Sequence, residues 1–469
     1  MLPADREVEV RGGDMLSDIM PRRVEVCFHF EPFRLPLKFG AVVMEGLTYC
    51  TVEAEVEDGR GRTARGNGSI PLADMWAFPS PKVPHELRES AMREVALRFA
   101  RRVEGYGRRA HPVDIFVELE GELAEVGRDV SREMGLAEEL PFLALLVSAS
   151  AVDAALHDAF GKVNGICSYD GYGKDLMEHD LGYYLGKEFR GKYIGDYLRS
   201  SYLPELPVFH LVGGLDFLRR EEVPEDAPQD GLPNSLEEWV ERDGLFCPKV
   251  KLRGKDLEWD VQRTLEVAEV AREVRRRMGW DDRLYLSVDT NEQCESPEYM
   301  VEYLKKVEER DPRTYEEILY LEQPTERDLS LHRWDMRELS SLRPVVIDES
   351  LTTLDDYRLA RELGWSGVAL KTCKCHSSAL LFVSLAEEEG VPYTVQDLTL
   401  YGTALVHSVG FAARTNTMMG VESNGCQYHS REAFPEVRRL HPGMMERREG
   451  KVRTDSIGKV GLGFRIEEI

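Results

Sequence analysis

Five short polar clusters, each closing an apolar run, decide the fold: Pro248-Lys249-Val250-Lys251, Ser287-Val288-Asp289-Thr290-Asn291, Leu321-Glu322-Gln323-Pro324, Val346-Ile347-Asp348-Glu349-Ser350 and Leu370-Lys371. The steps from Lys251 to Asp289, on to Glu322, Asp348 and Lys371, are 38, 33, 26 and 23 residues. One strand plus one helix of a (β/α)8 barrel occupies about 30 residues, so the clusters read as the ends of five consecutive parallel strands. In such barrels the strand C-termini converge on one active site. The charges then run Lys, Asp, Glu, Asp, Lys. Three carboxylates from neighbouring strands suit a hard divalent cation, which takes oxygen ligands. The flanking lysines are four strands apart, about half a turn of an eight-stranded ring, and so face each other across that centre.

Composition narrows the class. At 469 residues the chain exceeds one ordinary core, so two or more domains are expected. Hydrophobic content of 42% and charged content of 31% place it with globular proteins. No apolar run approaches the roughly 20 residues of a membrane span, so no membrane partner is expected. The opening Met1-Leu2-Pro3-Ala4-Asp5-Arg6-Glu7 lacks a basic segment followed by an apolar one, so no signal peptide is expected. A net charge of −25 argues against nucleic acid, which needs a basic surface. It does not argue against a small anionic substrate, because a metal and lysines reverse the field inside a cleft. The eight cysteines form no Cys-x-x-Cys pair, so neither a disulfide framework nor a zinc ribbon is indicated and a cytoplasmic location is the default.

Residues 22–66 alternate and break at glycine, as antiparallel strands do, with Thr51–Glu57 entering an Asp58-Gly59 turn. Residues 86–104 and 141–161 carry helical spacing, and 165–204 is a tyrosine-rich irregular insertion. Leu206–Val212, followed by Gly213-Gly214, reads as a first barrel strand, and a Pro-, Asp- and Gly-rich surface loop occupies 222–235 within a second insertion at 216–240. From about 245 to 425 strands alternate with helices, which implies a parallel sheet. Gly461-Leu462-Gly463-Phe464-Arg465-Ile466 is expected to add a last strand.

Lys249 and Lys251 alternate with Val250 and Leu252, so both point to one face of their strand. Crowded like charges lower a lysine pKa toward neutrality, which fits Lys251 as a base. Asp289 and Asn291 repeat the two-residue spacing, and Glu322 precedes Pro324, which ends its strand by removing a ladder donor. Asp348 and Glu349 are adjacent, so only one is expected to point inward. The Gly182–Glu188 stretch has three residues between its glycines and an acid where a phosphate loop needs Ser or Thr, so it is rejected as one. Cys373, Cys375 and His376 read as buried residues beside the site, with a soft-metal site as the alternative. His157 and His407 read as structural.

In combination these motifs resemble the enolase superfamily, and within it the muconate lactonizing enzyme subgroup of the mandelate racemase/muconate lactonizing enzyme family. The resemblance covers nearly the whole chain. It implies an α/β fold: a (β/α)8-type, modified TIM barrel over 205–430, under an α+β capping domain built from 1–204 and a returning tail at 431–469. It implies Mg2+, with Mn2+ as the alternative, held by Asp289, Glu322 and Asp348. Lys251 and Lys371 resemble the paired acid/base residues, and Lys249 the partner that tunes Lys251. Asn291, Glu349, Asp397, Glu422 and Trp76 are expected to contact substrate or support the site. Lys-x-Lys differs from the mandelate racemase subgroup, which has histidine at the second position. Two departures stand out. Ser377-Ser378 lies where many relatives carry Gly-Gly, and Glu422-Ser423-Asn424 lies where dipeptide epimerases hold a substrate ammonium with Asp-x-Asp, which argues against a dipeptide substrate.

The activity implied is removal of the proton α to the carboxylate of a small substrate, through an enolate, by a racemase or epimerase with two opposed lysines. Cycloisomerisation or syn β-elimination of the o-succinylbenzoate synthase kind is the alternative on the same site. A non-catalytic metal-binding scaffold is the alternative from another class. Such a proton is very weakly acidic, so a metal and cations must neutralise the charge that develops. The resemblance also implies a homo-oligomer. Specificity is expected from cap loops around Glu31–Gly46 and Gly66–Phe78, with Phe33, Phe39 and Trp76 either touching substrate or buried in the cap.

Overall fold

The computed structural model of the protein describes residues 15–39 and 42–465. Three antiparallel strands come first, in the order β1 (Ile19–Phe39), β2 (Val42–Asp58) and β3 (Thr63–Pro71). The alternation read in 51–57 buries Val52, Ala54 and Val56. The turn after it is closed by Asp58, whose carboxylate accepts from the backbone N–H groups of Arg60 and Arg62. Helices His85–Glu104, Pro112–Glu133 and Phe142–Asn164 pack with this sheet. The span 31–46, expected as a loop, is instead the far end of the β1–β2 hairpin, where strand pairing continues to Phe39 and Val42. The side chain of Phe39 lies outside those described.

The two glycines of β3 have a packing reason. At Gly68 a Cβ would stand 1.8 Å from the carbonyl oxygen of Ala151, and at Gly66 it would stand 2.1 Å from that of Ala155. The small residues of helix Phe142–Asn164 meet a strand without side chains, and the two backbones close on each other. This helix revises one expectation. At 23 residues it is apolar and long enough, by length and composition alone, to cross a membrane, yet 94% of its most apolar window is buried inside the protein. It runs between the sheet and the barrel, and so is apolar all round. Helix Pro112–Glu133 was not anticipated.

Eight parallel strands follow: β4 (Glu205–Val212), β5 (Cys247–Lys251), β6 (Leu286–Asp289), β7 (Ile318–Glu322), β8 (Val345–Ile347), β9 (Gly367–Leu370), β10 (Tyr393–Val395) and β11 (Val421–Glu422). Each pairs with the next, and β11 returns to β4, which closes the barrel. Phe209, Cys247, Tyr320, Val346 and Ala369 fill its interior. Helices sit between the strands, among them Leu257–Arg277, Pro297–Arg310, Leu354–Glu362 and His376–Glu389, close to the spans the sequence marked.

The tail departs from expectation. The last strand among the described residues is β12 (Lys451–Arg453), antiparallel to the start of β4. Gly461 makes only a bridge to Cys167, and Ile466 lies outside the described residues. Two close contacts explain why this stretch does not extend as a strand: Leu462 N–H donates to Asp158 at 2.8 Å, and the Gly461 backbone lies against Gly161. At Gly461 and Leu462 the tail meets helix Phe142–Asn164 as a turn.

Candidate active site

The strand register brings the predicted residues level. Lys251 lies opposite Asp289, and Asp289 opposite Glu322, on adjacent strands. Asp348 and Lys371 directly follow β8 and β9. Since β5 and β9 are four strands apart in a closed ring of eight, the two lysines enter the mouth from opposite sides, and both line one cleft. The mouth is also where the backbone is strained. Asn291, Glu292, Gln323 and Thr399 all have positive φ, between 32° and 69°, without being glycine.

Lys249 is the hub. Its ammonium lies 2.9 and 2.8 Å from the two Glu322 oxygens, 2.8 Å from Glu422 and 3.3 Å from Asp289. Burial alone would lower its pKa, but these three acids outweigh burial and hold it well above the ordinary lysine value. That differs from the expectation that Lys249 and Lys251 drive each other toward neutrality, because acids rather than the other lysine dominate around Lys249. Lys251 donates to Asp289 and, at 3.0 Å, to Asn291. Lys371 lies 2.9 Å from Asp348 and donates to the Asp397 carbonyl at 3.2 Å. Its pKa too is raised: burial pulls it down, and Asp348, Glu322 and Glu422 together more than offset that.

Asp348 and Glu349 both join the site, against the expectation that one would turn away. Strand β8 ends at Ile347, so the pair sits in a turn and strict alternation no longer applies. Asp348 faces Lys371. Glu349 accepts from the Trp76 indole N–H at 2.9 Å and from Asn291 at 3.1 Å. Burial, then Asp348, pushes Glu349 up to about 7. Trp76 thus reaches from the cap to the barrel, its ring 4.8 Å from the Lys371 ammonium, while Arg327 bonds its carbonyl at 3.1 Å. Phe33 does not line the cleft. It packs on Tyr428 and His429, and Leu37 and Met44 of the hairpin line the cleft instead. Asp397 accepts from Asn424 and Thr399 and is pushed up to about 6, by burial and then by Glu422.

Three residues of the site went unread in the sequence. Gln396 donates to Glu322 at 2.6 Å, and the side-chain oxygen of Gln323 accepts from the Asp348 N–H at 2.8 Å. Lys374 donates to the Asp348 carboxylate at 3.1 Å and to the carbonyls of Asp348 and Leu351. The signal for Lys374 was its spacing: it lies three residues after Lys371, one short turn on. Cys373, Cys375 and His376 are buried and outside the cleft, and burial pushes the Cys373 thiol up to about 12. His157 is hydrogen-bonded to Tyr172 and Ser377, both at 2.8 Å.

The donor set fits a hard dication. Six buried carboxyl groups, of Asp289, Glu322, Asp348, Glu349, Asp397 and Glu422, meet four buried ammonium groups, of Lys249, Lys251, Lys371 and Lys374. The surplus is negative, and it shows at Glu322, where burial and then Asp289 raise the pKa well above the usual range. Among the described residues no three acid, histidine or cysteine side chains form a ready-made metal cluster. Ammonium groups stand between the acids, with Lys249 bridging Asp289 and Glu322.

Comparison with known proteins agrees with the fold. The family described as enolase C-terminal domain-like matches residues 232–469. A dipeptide epimerase from Enterococcus faecalis V583, solved with Mg and the dipeptide L-Leu-L-Tyr, is 15% identical over 95% of this chain and 99% of its own, with a TM-score of 0.60. A muconate lactonizing enzyme from Mucobacterium Smegmatis, solved with muconolactone, is 17% identical over 96% of this chain and 97% of its own, with a TM-score of 0.61. An N-succinyl Arg/Lys racemase from Bacillus cereus ATCC 14579 is 16% identical over 96% of both chains, with a TM-score of 0.57. No curated protein matches the sequence.

Proposed function

This chain belongs to the enolase C-terminal domain-like family, and from that premise we propose that it is a Mg2+-dependent isomerase that moves the proton α to a substrate carboxylate. The observation that carries this reading is the pair of lysines, Lys251 and Lys371, on opposite strands of one closed ring, with Asp289, Glu322 and Asp348 on the strands between. Asp289, Glu322 and Asp348 are the residues that would hold Mg2+, and when bound it supplies positive charge that stabilises the developing enolate. Lys251 takes the α-proton on one face, after release from Asp289 and Asn291. Lys371 delivers a proton to the other face, which inverts the carbon. Lys249 stays protonated among its acids and contributes fixed charge. Trp76, with Leu37 and Met44, closes the cleft from the cap and keeps water out.

One observation favours a second reading. The Trp76 ring over Lys371 stabilises that lysine as a cation. A lysine held so acts as fixed charge, and Lys251 then does all the proton transfer, as cycloisomerisation or syn elimination requires. Exchange of α-protons with solvent deuterium, followed by NMR over a panel of carboxylic acids with Mg2+, tests both. In a racemase, Lys371→Ala and Lys251→Ala each abolish racemisation while exchange survives on opposite enantiomers. In the second reading Lys251→Ala abolishes all exchange. A panel in which no acid exchanges sinks the enzymatic proposal and leaves a metal-binding scaffold.

A further inference from the structure

Beside the lysine cleft lies a larger cavity. It holds about 450 Å3, whereas the cleft holds about 50 Å3. It lies between the end of β4, the cap hairpin at Leu35 and Pro36, and the inserted segment that the sequence marked at 216–240. Leu211 lines both spaces. That residue pairs with Lys249 in the strand register, so the cavity adjoins the cleft on the Lys249 side. Its backbone is held from both directions, with the N–H donating to Asn424 of the cleft at 3.1 Å and the carbonyl accepting from Gln427 of the cavity at 2.9 Å.

The roof of the cavity is fixed in place. Arg34 of the hairpin, its side chain only 3% exposed, donates to both Asp230 oxygens at 2.6 and 2.9 Å, to Asn234 at 2.7 Å and to the Pro233 carbonyl at 3.2 Å. Five hydrogen bonds from one guanidinium, counting a longer one to the Leu232 carbonyl, preform the space rather than leaving it to close on a ligand. A preformed, mainly apolar space of some 300–1,000 Å3 is what small-molecule sites offer. Among the described residues lining it none is lysine or arginine. Its acids, Asp216 and Asp226, repel anions. His210, the one histidine there, is paired with Arg447 at 2.7 Å and held neutral by burial and that arginine.

We propose that this cavity takes the uncharged apolar tail of the carboxylic acid whose acid end enters the lysine cleft. The inference rests on the enolisation reading only for the identity of that acid end. A cleft of about 50 Å3 admits a carboxyl group and little more, so the remainder of a larger substrate needs the adjoining space. A tail bearing a second carboxylate finds no counter-ion there and meets two acids instead.

Calorimetric titration of the full chain with Mg2+, using octanoate, suberate and acetate as probes, tests this. Octanoate and suberate have the same length and differ by one terminal carboxylate. Octanoate is expected to bind at least tenfold more tightly than either of the others. Leu215→Trp, at an exposed position on the cavity wall, and Ala227→Phe, in the roof, are each expected to weaken octanoate at least tenfold and to leave acetate unchanged. Equal affinity for octanoate and suberate overturns the proposal, as does unchanged octanoate affinity in both variants. Octanoate binding of the expected kind, together with a panel of carboxylic acids in which none exchanges its α-proton, keeps the cavity assignment and sinks the enolisation reading.

Discussion

Asp348 is gripped by two lysines carried on one short turn. Lys371 takes one carboxylate oxygen and Lys374 the other, and the Lys374 N–H bonds back to the Lys371 carbonyl at 3.0 Å. Without Lys374, Asp348 keeps Lys371, but one carboxylate oxygen and two buried carbonyls lose their donor. Lys374→Met is therefore expected to cost about 1–3 kcal/mol, read from the midpoint of chemical denaturation. The same variant should bind Mg2+ more weakly, because Asp348 loses the group that orients it. Residues of this kind were only partly legible. Asp289, Glu322 and Lys251 announce themselves because each closes an apolar strand, where one position decides orientation. Lys374, Gln323 and Gln396 lie in turns or beyond strand ends, where no periodicity says which way a side chain points. Glu349 shows the same limit from the other side, since alternation was applied to a pair that had already left its strand.

At the scale of elements, β3 and helix Phe142–Asn164 meet backbone to backbone at Gly66 and Gly68. Gly68→Ala would drive a methyl into the Ala151 carbonyl and part the two elements, with an expected loss of about 1–3 kcal/mol in thermal unfolding. Gly121→Ala makes the opposite case. It lies inside helix Pro112–Glu133 with nothing within 4 Å of the new methyl, and should stabilise by about 0.5–1 kcal/mol. That helix escaped sequence reading for a related reason. Gly121 and Gly127 look like breaks, whereas Gly127 faces Leu145 too closely for a side chain and belongs to the packed face. Arg34→Ala removes the clasp on 230–234, and amide hydrogen exchange in that segment is expected to rise at least tenfold, as loss of about 1.4 kcal/mol of local stability would give.

For the molecule as a whole, histidines buried without charge weaken the fold in acid. His111 is lowered to about 3, and His407, His429 and His441 to about 4, burial being the first cause in each. Between pH 6.5 and 4 the unfolded chain binds protons at these sites that the folded chain refuses. The stability these histidines contribute is therefore complete above 6.5 and falls as the pH drops through that window. For His429 the loss approaches about 3 kcal/mol by pH 4. His429→Gln should flatten the pH dependence of the urea midpoint there by up to one proton. The barrel was legible because its rhythm is local, one strand and one helix at a time. The 450 Å3 cavity was not, because it exists only where a hairpin from one end of the chain meets an insertion some 200 residues later, and such a meeting leaves no trace in spacing.

Trp76 ties these scales together. One indole, delivered by the cap, donates to a barrel carboxyl and roofs a barrel lysine, while its carbonyl is held by Arg327. The mouth of the barrel is therefore complete only with this cap in place. A chimera that grafts another relative's N-terminal half onto this barrel inherits new selectivity only if it also brings an aromatic donor at this point, and otherwise trades one specificity for an open, idle mouth.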